Sequence, residues 1–183
     1  LSGSECFTFL NNQTISKIEP TDDTVCHYSA ICNPKGRVMF SFFVFTDESQ
    51  IHLAITKQLA SELLNFLNMR RFRMDVKVEN MEELALYKTN GSRSGNNYPL
   101  SLLSAQETVS QTSIWPTLFE WNLPWIEKSQ QEKHIPQHLS LDEAGAIDFK
   151  KGCYPGQEII ARLHYLGEVK KRLQLISVID SEI

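Results

Sequence analysis

A nine-residue stretch toward the C-terminal end of the chain limits its local fold more than any other part of the sequence. Residues 150–158 read Lys-Lys-Gly-Cys-Tyr-Pro-Gly-Gln-Glu. Apolar residues follow at helical spacing, at Ile159, Ile160, Leu163 and Leu166. Glycines and a proline ahead of such a pattern are typical of a turn that leads into a helix, because Pro155 suits the first helical turn. Gly167 suits the helix end, so the sequence predicts a tight turn followed by a short helix.

The same stretch carries a candidate reactive thiol. Cys153 would lie just before a helix N-terminus and beside Lys150 and Lys151, and both the helix dipole and nearby cations favour the thiolate. Free backbone N–H groups at a helix start also attract an electron-rich ligand. Alternatively, Gly152 and Gly156 serve only the turn, and Cys153 packs as a small apolar side chain. The sequence leaves both interpretations open.

Two apolar, β-rich segments at 26–32 and 37–45 predict a hairpin in the first half of the chain. The residues between them, Asn33-Pro34-Lys35-Gly36, form a strong turn signal. The second strand carries four aromatic residues, Phe40, Phe42, Phe43 and Phe45. Phenylalanines are generally buried, which favours a core role for this cluster. The alternative is a stacking wall for a flat ligand.

Hydrophobic periodicity predicts the other elements. Leu59, Leu63 and Phe66 recur at helical spacing after Thr56, which predicts a helix facing a sheet. A helix or strand is predicted at 5–10, short helices within 115–126, and a helix at 139–145. Further strands are predicted at 51–55, 74–78, 84–86, 146–149 and 172–179. This order indicates an α+β fold with mixed or antiparallel sheets and helices on one face.

A polar loop at 90–97 is the best candidate for a domain boundary, by its composition. It divides the chain into an N-terminal α+β unit at 1–95 and a second α+β unit at 96–168. The second unit carries the nine-residue stretch. Residues 169–183 would then begin a third region.

Composition excludes several functional classes. The net charge is −4 and the charges are spread along the chain, so no direct nucleic-acid binding is expected. No apolar run approaches the ~20 residues of a membrane span, so no membrane association is expected. The four cysteines fit no paired zinc pattern, which indicates reduced thiols in a cytoplasmic-type compartment. His134 and His138 are four apart, but Pro136 argues against a helix there, and no metal site is predicted.

The residues from Lys151 to Glu158 also carry a resemblance. Lys151-Gly152-Cys153-Tyr154-x-Gly156-Gln157-Glu158 resembles the signature of the YgfZ-type folate-binding proteins, which are relatives of the glycine-cleavage T-protein, an aminomethyltransferase. The flanking matches are Phe9-Leu10, Cys32 to Arg37, Ile135-Pro136-Gln137, Leu141-Asp142, Arg162, Gly167 and Lys171-Arg172-Leu173. The resemblance spans most of the chain, and its specificity lies in the signature.

The resemblance implies a folate-binding domain of the aminomethyltransferase (GcvT-like) type, with a C-terminal β-barrel domain that is largely missing from this chain. It implies tetrahydrofolate or a derivative as the cofactor. It also implies a role in assembling or repairing iron–sulfur proteins and in the tRNA modification that depends on them. The implied partners are folate and iron–sulfur client or assembly proteins, in the cytoplasm or, in a eukaryote, the mitochondrial matrix.

Site residues follow from the same resemblance. Cys153 becomes the candidate catalytic thiol, and Lys151 would hold its charge. The implied folate-binding residues are Tyr154, Gln157, Glu158 and Arg162. Glu158 would suit the edge of a pterin ring, because a carboxylate accepts two parallel hydrogen bonds, while Arg162 would steer an anionic tail. On a helix, the same acid–base pair could equally be an exposed ion pair.

Two departures from the T-protein pattern bear on catalysis. That family carries an acidic pair after a glycine of its N-terminal hairpin, whereas Phe40-Ser41 stand at the comparable place here. A general acid or base is therefore absent where aminomethyl transfer needs one. The family's Thr-Asn-Asp is also not intact, since Thr14 is followed by Ile15-Ser16. A binding factor is favoured, with a folate-dependent C1 or aminomethyl transferase and a non-folate interaction module as alternatives.

Overall fold

The computed structural model describes residues 1–21, 25–81, 84–104 and 113–174, and it has a mixed α+β structure with two small antiparallel sheets. The helices are α1 (Cys6–Asn11), α2 (Lys57–Arg70), α3 (Trp115–Glu120) and α4 (Gln157–Leu166), with 3-10 turns at Lys128–Gln130 and Pro136–Leu139. The strands are β1 (Val25–Cys32), β2 (Val38–Thr46), β3 (Ile51–Ala54), β4 (Leu84–Lys88) and β5 (Leu100–Ser104).

The predicted hairpin is confirmed as β1 and β2, and β3 extends it into a three-stranded sheet in the order β1-β2-β3. Tyr28 lies opposite Phe43, and the register shifts between Ile31 and Cys32. The turn is closed by the side chain of Asn33, whose Oδ1 accepts hydrogen bonds from the backbone N–H groups of Lys35 (2.9 Å) and Arg37 (3.0 Å). An asparagine bonding to the backbone two residues on is a common way to fix such a turn.

All four phenylalanines of β2 belong to the hydrophobic core, as the core interpretation predicted. Because β2 is the central strand, its alternating side chains meet neighbours on both faces. On one face, Phe40 makes an edge contact with Phe66 of α2 at 5.4 Å between ring centroids. On the other, Phe43 contacts Tyr98 and Trp125, both at 5.6 Å. The aromatic strand therefore has no free face for stacking a ligand.

Helix α2 confirms the predicted amphipathic helix, because its buried residues are Leu59, Leu63, Phe66 and Leu67. The region 5–10, left open between helix and strand, forms α1. The second sheet pairs Leu84–Lys88, which contains the strand predicted at 84–86, with Leu100–Ser104. This last strand was not predicted, because its leucine and serine composition has weak β-propensity.

Several predicted elements are wrong. Residues 74–78 make one isolated bridge, between Lys77 and Ser2, instead of a strand. The predicted helix at 139–145 is a 3-10 turn at Pro136–Leu139 followed by turns, because Ser140 adopts a left-handed conformation. Residues 146–149 form no strand and make two backbone hydrogen bonds, from Ala146 N to Leu141 O and from Asp148 N to Ile15 O, both at 2.9 Å.

Two predictions from the sequence are not tested, or only partly tested, by the described residues. Of the strand predicted at 172–179, residues 172–174 are irregular and the rest lie outside the described residues, as does most of the region 169–183. The division into units at 1–95 and 96–168 stays a prediction.

Candidate functional site

The nine-residue stretch forms a turn that enters α4, as predicted, and this turn packs directly on the hairpin turn between β1 and β2. Gly156 is the residue before the helix, with a left-handed φ of +81°. A Cβ atom there would lie 2.5 Å from the carbonyl oxygen of Asn33 and 2.6 Å from Cα of Gly36. Glycine is required on both counts, because a side chain would be strained by φ and would overlap the neighbouring backbone. Pro155 precedes this residue and so lies outside the helix, rather than in its first turn.

The first turn of α4 is fixed from the other side by Gln137. Its Nε2 donates to the carbonyl oxygen of Ile160 at 2.7 Å, and both residues are fully buried. Gln137 is held in turn by the 3-10 turn Pro136–Leu139, which was part of the sequence match around Ile135-Pro136-Gln137. The matched segments at 32–37, 135–137 and 151–158 therefore meet around one helix end.

Lys151 is directed into the protein, away from solvent. Its Nζ donates to the carbonyl oxygens of Asn11 (2.8 Å), Thr14 (2.7 Å) and Ser16 (2.7 Å). An ammonium group has three donors, and these three carbonyls take all of them. Burial lowers the pKa of Lys151 to about 8, while the carbonyl oxygens favour the protonated form because they can only accept.

Cys153 is an exposed free thiol, whereas Cys6, Cys26 and Cys32 are buried. Burial raises the pKa of each of these three thiols, which makes them poor nucleophiles. Cys153 is thus the cysteine accessible to a reagent or partner. The role expected of Lys151, which is to hold the charge of Cys153, stays a prediction, since its three donors bond to main-chain carbonyls.

The four residues implied in folate binding have different surroundings. Tyr154 is buried, and its ring lies 5.4 Å from the Lys151 ammonium. Gln157 donates weakly from Nε2 to the carbonyl oxygen of Lys151, at 3.4 Å. Glu158 and Arg162 are both exposed on α4. The ion pairs found in the described parts of the chain do not include one between them.

A cavity of about 570 Å³ lies at the opposite end of α4 from this turn. Its lining residues are Ser16, Lys17, His27, Asn96, Asn97, Gly145, Ile147, Asp148, Phe149, Lys150, His164 and Tyr165. The rings of Phe149 and His164 are stacked, with centroids 3.7 Å apart and an angle of 12° between the planes. The ring of Tyr165 meets the His164 ring edge-on at 4.7 Å. The cavity therefore combines an aromatic wall with polar groups.

The polar wall is built by a chain segment that runs along the edge of β1. Oδ1 of Asn96 accepts a hydrogen bond from Tyr28 N (3.3 Å), and Nδ2 of Asn96 donates to Tyr28 O (3.0 Å). The amide side chain thus pairs with the backbone of β1 as a neighbouring strand would. Beside it, His27 forms an isolated bridge with Asn97. Burial lowers the pKa of His27, and hydrogen bonding to Asn97 opposes this shift. A neutral imidazole with one donor and one acceptor results at neutral pH.

Charged groups of both signs border the cavity. Oδ1 of Asp148 accepts a hydrogen bond from Lys150 N at 2.8 Å, and Lys17 is paired with Glu19 at 2.5 Å. None of the six site residues expected from the resemblance lines the cavity. Sequence reasoning missed Asp148 and Phe149 because it treated 146–149 as a strand, although these residues directly precede the signature.

Phe40 and Ser41, which stand where the T-protein family has an acidic pair, both have structural roles here. Phe40 is fully buried against α2, and Ser41 Oγ accepts a hydrogen bond from Ile126 N at 2.9 Å. No acid or base stands there to assist transfer chemistry. The described residues include no group of three His, Cys, Asp or Glu side chains suited to a metal ion. Within the same residues, no helix has the length and apolar character needed to span a membrane.

Comparison with known proteins gives similar sequences, although no protein-family model matches the chain. A protein from Vibrio atlanticus is 43% identical over 60 residues, which cover 33% of this chain and 19% of that protein. Proteins from Colwellia psychrerythraea and Blochmanniella pennsylvanica are each 26% identical over 217 and 227 residues, covering 94% and 98% of this chain. Each of the three is named tRNA-modifying protein YgfZ.

The chain spans only part of these relatives. The two long alignments cover 66% and 69% of the relatives' own lengths. Both alignments are longer than the 183 residues of this chain, so the relatives hold insertions within the aligned region. The near-complete coverage of this chain in the two long alignments, together with the signature around Cys153, supports a YgfZ-type protein.

Proposed function

We propose that this protein binds a reduced folate and, as a YgfZ-type factor, supports tRNA modification through iron–sulfur proteins. The name of the relatives, tRNA-modifying protein YgfZ, supports the tRNA-modification part of the proposal. The resemblance of residues 151–158 to the folate-binding signature supports the cofactor. The observation that carries the proposal is the cavity at the end of α4, because its size and chemistry suit a flat heterocycle.

The aromatic wall supports the folate part of the proposal. A volume of about 570 Å³ falls within the ~300–1,000 Å³ typical of small-molecule sites. The rings of Phe149 and His164 are stacked and parallel to within 12°, so this stacked pair is a preformed aromatic surface on which a pteridine ring would stack in turn. Lys17 and Lys150 at the rim are cations suited to the carboxylates of a folate tail.

Two carboxylates compete for the hydrogen-bonding edge of the pterin. Glu158 is the residue expected from the resemblance, but it is exposed on the first turn of α4. Asp148 lies in the cavity wall beside the stacked rings. A partly buried carboxylate forms stronger hydrogen bonds than an exposed one, because water competes less there. We therefore assign the hydrogen-bonding edge of the pterin to Asp148, and Glu158 is the alternative that the experiment below also tests.

Cys153 supports the partner side of the proposal. It is an exposed thiol on a turn that two glycine backbones hold in place. A thiol presented on a rigid turn suits contact with a partner protein or its metal cluster. Exchange of this thiol for a hydroxyl, in Cys153→Ser, should leave folate affinity unchanged and abolish complementation of a strain lacking the factor.

The test of folate binding is calorimetric titration with tetrahydrofolate under reducing conditions. Asp148→Asn and Glu158→Gln each remove one carboxylate charge, and Glu120→Gln, on exposed α3, serves as the matched control. We expect Asp148→Asn to weaken binding about tenfold or more, since charge-assisted hydrogen bonds contribute roughly 1.5–3 kcal/mol, with the control unchanged. A loss confined to Glu158→Gln would assign the pterin edge to the signature helix. Equal binding by the unmodified chain and the three variants would show that neither carboxylate binds the pterin.

A further inference from the structure

An exposed basic and aromatic surface lies at the C-terminal end of α2. We call it the arginine patch and define it as Arg70, Arg71, Phe72 and Arg73. Phe72 is 83% exposed and the adjacent Met69 is 73% exposed. Three cations lie within these four residues, although the overall charge of the chain is −4. The overall charge, from which no direct nucleic-acid binding was expected, does not reveal such a local cluster.

The backbone presents Phe72 to solvent in an unusual conformation. Its φ is +46°, in the left-handed region. That conformation is uncommon for bulky residues and is found mainly where function or tertiary structure requires it. Burial does not explain it, since the ring is almost wholly exposed. Glycine or asparagine would adopt the same backbone conformation with less strain. The presence of an exposed aromatic ring at this strained position therefore points to a function for the ring.

The arginines are arranged around aromatic rings. The guanidinium of Arg73 lies 5.5 Å from the Phe72 ring centroid, and that of Arg70 lies 3.6 Å from the Phe66 centroid. Arg71 is anchored, because its Nη1 donates to the carbonyl oxygen of Val76 at 2.6 Å. Arg70 and Arg73 are exposed, so their donors face solvent.

The acidic residues next to the patch form hydrogen bonds with other groups. The carboxylate of Asp75 accepts from N and Oγ of Ser4, at 3.0 and 2.7 Å. Glu5 accepts from Asp75 N at 2.6 Å. Within the described ranges, no ion pair joins an acid to any of the three arginines. Among the residues that the structure describes, the three arginines are therefore not ion-paired, and they lie beside a ring that is 83% exposed.

We propose that the arginine patch binds single-stranded RNA. Unpaired bases stack on exposed aromatic side chains, and guanidinium groups pair with the phosphates between them. Phe72 would stack with a base, and Arg70 and Arg73 would contact the backbone. An acidic polypeptide would satisfy the arginines but leaves the strained, exposed ring without a role. This site is distinct from the cavity and does not depend on folate binding.

The test is fluorescence anisotropy of the 183-residue chain with a labelled oligouridylate of about ten nucleotides. Phe72→Asn keeps a residue that tolerates the left-handed backbone and removes the ring, while Phe72→Tyr keeps the ring. We expect a loss of affinity of roughly five- to hundredfold for Phe72→Asn and a change of under about twofold for Phe72→Tyr. Circular dichroism confirms that each variant is folded.

Charge is tested separately from stacking. Arg70→Gln with Arg73→Gln should lower the slope of log affinity against log salt by roughly 0.7 per arginine, measured between about 50 and 200 mM salt. Lys57→Gln with Lys133→Gln is the matched control, because both lysines are exposed and lie outside the patch. Asp148→Asn should bind RNA normally, which separates this proposal from the folate proposal.

Three results would overturn the proposal. They are no binding by the unmodified chain at low salt, equal losses in Phe72→Asn and Phe72→Tyr, and equal losses in the arginine and lysine double variants. Competition by polyglutamate as effective as that by unlabelled RNA would likewise overturn it, and would assign the patch to acidic polypeptides.

Discussion

The two ends of α4 differ in what they contact and in what they can do. At its N-terminal end, Gly156 lies against the backbone of the hairpin turn, and Ile160 is fully buried. At its C-terminal end, His164 and Tyr165 border the cavity, and Leu166 is 84% exposed. The signature is concentrated at the first end, whereas the cavity lies at the second.

Two residues of the signature, Gly156 and Lys151, have a structural role at the first end. Gly156 permits the contact between two backbones, and Lys151 ties the turn to the segment 11–16 that reaches the cavity wall at Ser16. Cys153 is the member left free for chemistry.

The largest effect is expected at the contact between the two turns. Gly156→Ala places a Cβ atom 2.5 Å from the Asn33 carbonyl oxygen and forces a side chain into a left-handed conformation. Strain of about 1–2 kcal/mol from the backbone and about 1–3 kcal/mol from overpacking predict a loss of roughly 3 kcal/mol or more in unfolding free energy. Urea denaturation measures it.

Gly152→Ala is the matched control for that substitution. The two glycines lie four residues apart in the same motif, but no atom lies within 4 Å of the position that a Cβ would take on Gly152. Its unfolding free energy should change by less than about 1 kcal/mol. If both variants lost stability equally, the docking of the two turns would not be what requires glycine in the signature.

Lys151 and Lys150 offer a second matched pair, with a smaller expected effect. Lys151→Met removes three short hydrogen bonds to main-chain carbonyls, and a loss of about 2–3 kcal/mol in unfolding free energy is expected from charged hydrogen bonds of this kind. Lys150→Met, at an exposed position, should be nearly neutral. Thermal denaturation of both variants separates the roles, and equal melting temperatures would contradict the anchoring role of Lys151.

Local sequence signals were enough to predict the hairpin, α2, and the turn leading into α4. Each depends on residues close in sequence: Asn33 closes its own turn, and the apolar spacing from Leu59 defines its own helix. The strand at 100–104 and the turns at 140–145 were missed because tertiary pairing and a left-handed Ser140 decide them. Periodicity carries no information about either.

The site was harder to predict than the fold. By residue type alone, Lys150 and Lys151 look equivalent, as do Gly152 and Gly156, and their three-dimensional neighbours are what separate their structural roles. The stacking of Phe149 on His164 joins residues on either side of the signature, so no spacing rule predicts it. The polar neighbours of Cys153 did single it out in the sequence, and it is the exposed cysteine of the four.

The smallest effect is expected at the cavity end and concerns the pH dependence of stability. Burial lowers the pKa of His27 below its usual value near 6.5. As the pH falls below about 6.5, the unfolded chain takes up a proton on this histidine before the folded chain does. The unfolded state is then favoured, so the contribution of His27 to stability is present above about pH 6.5 and is lost as the pH falls through the folded pKa.

His27→Gln keeps a polar side chain but cannot titrate. We expect the unfolding free energy of the unmodified chain to fall more steeply than that of the variant between about pH 7 and pH 5, as measured by urea denaturation. The other histidines are common to both proteins and cancel in the difference. Since the contact between Gly156 and Gly36 is made by main-chain atoms, Gly156→Ala should leave the pH slope unchanged. Parallel pH curves for His27→Gln and the unmodified chain would mean that the cavity wall is hydrated enough for His27 to titrate as it does in the unfolded chain.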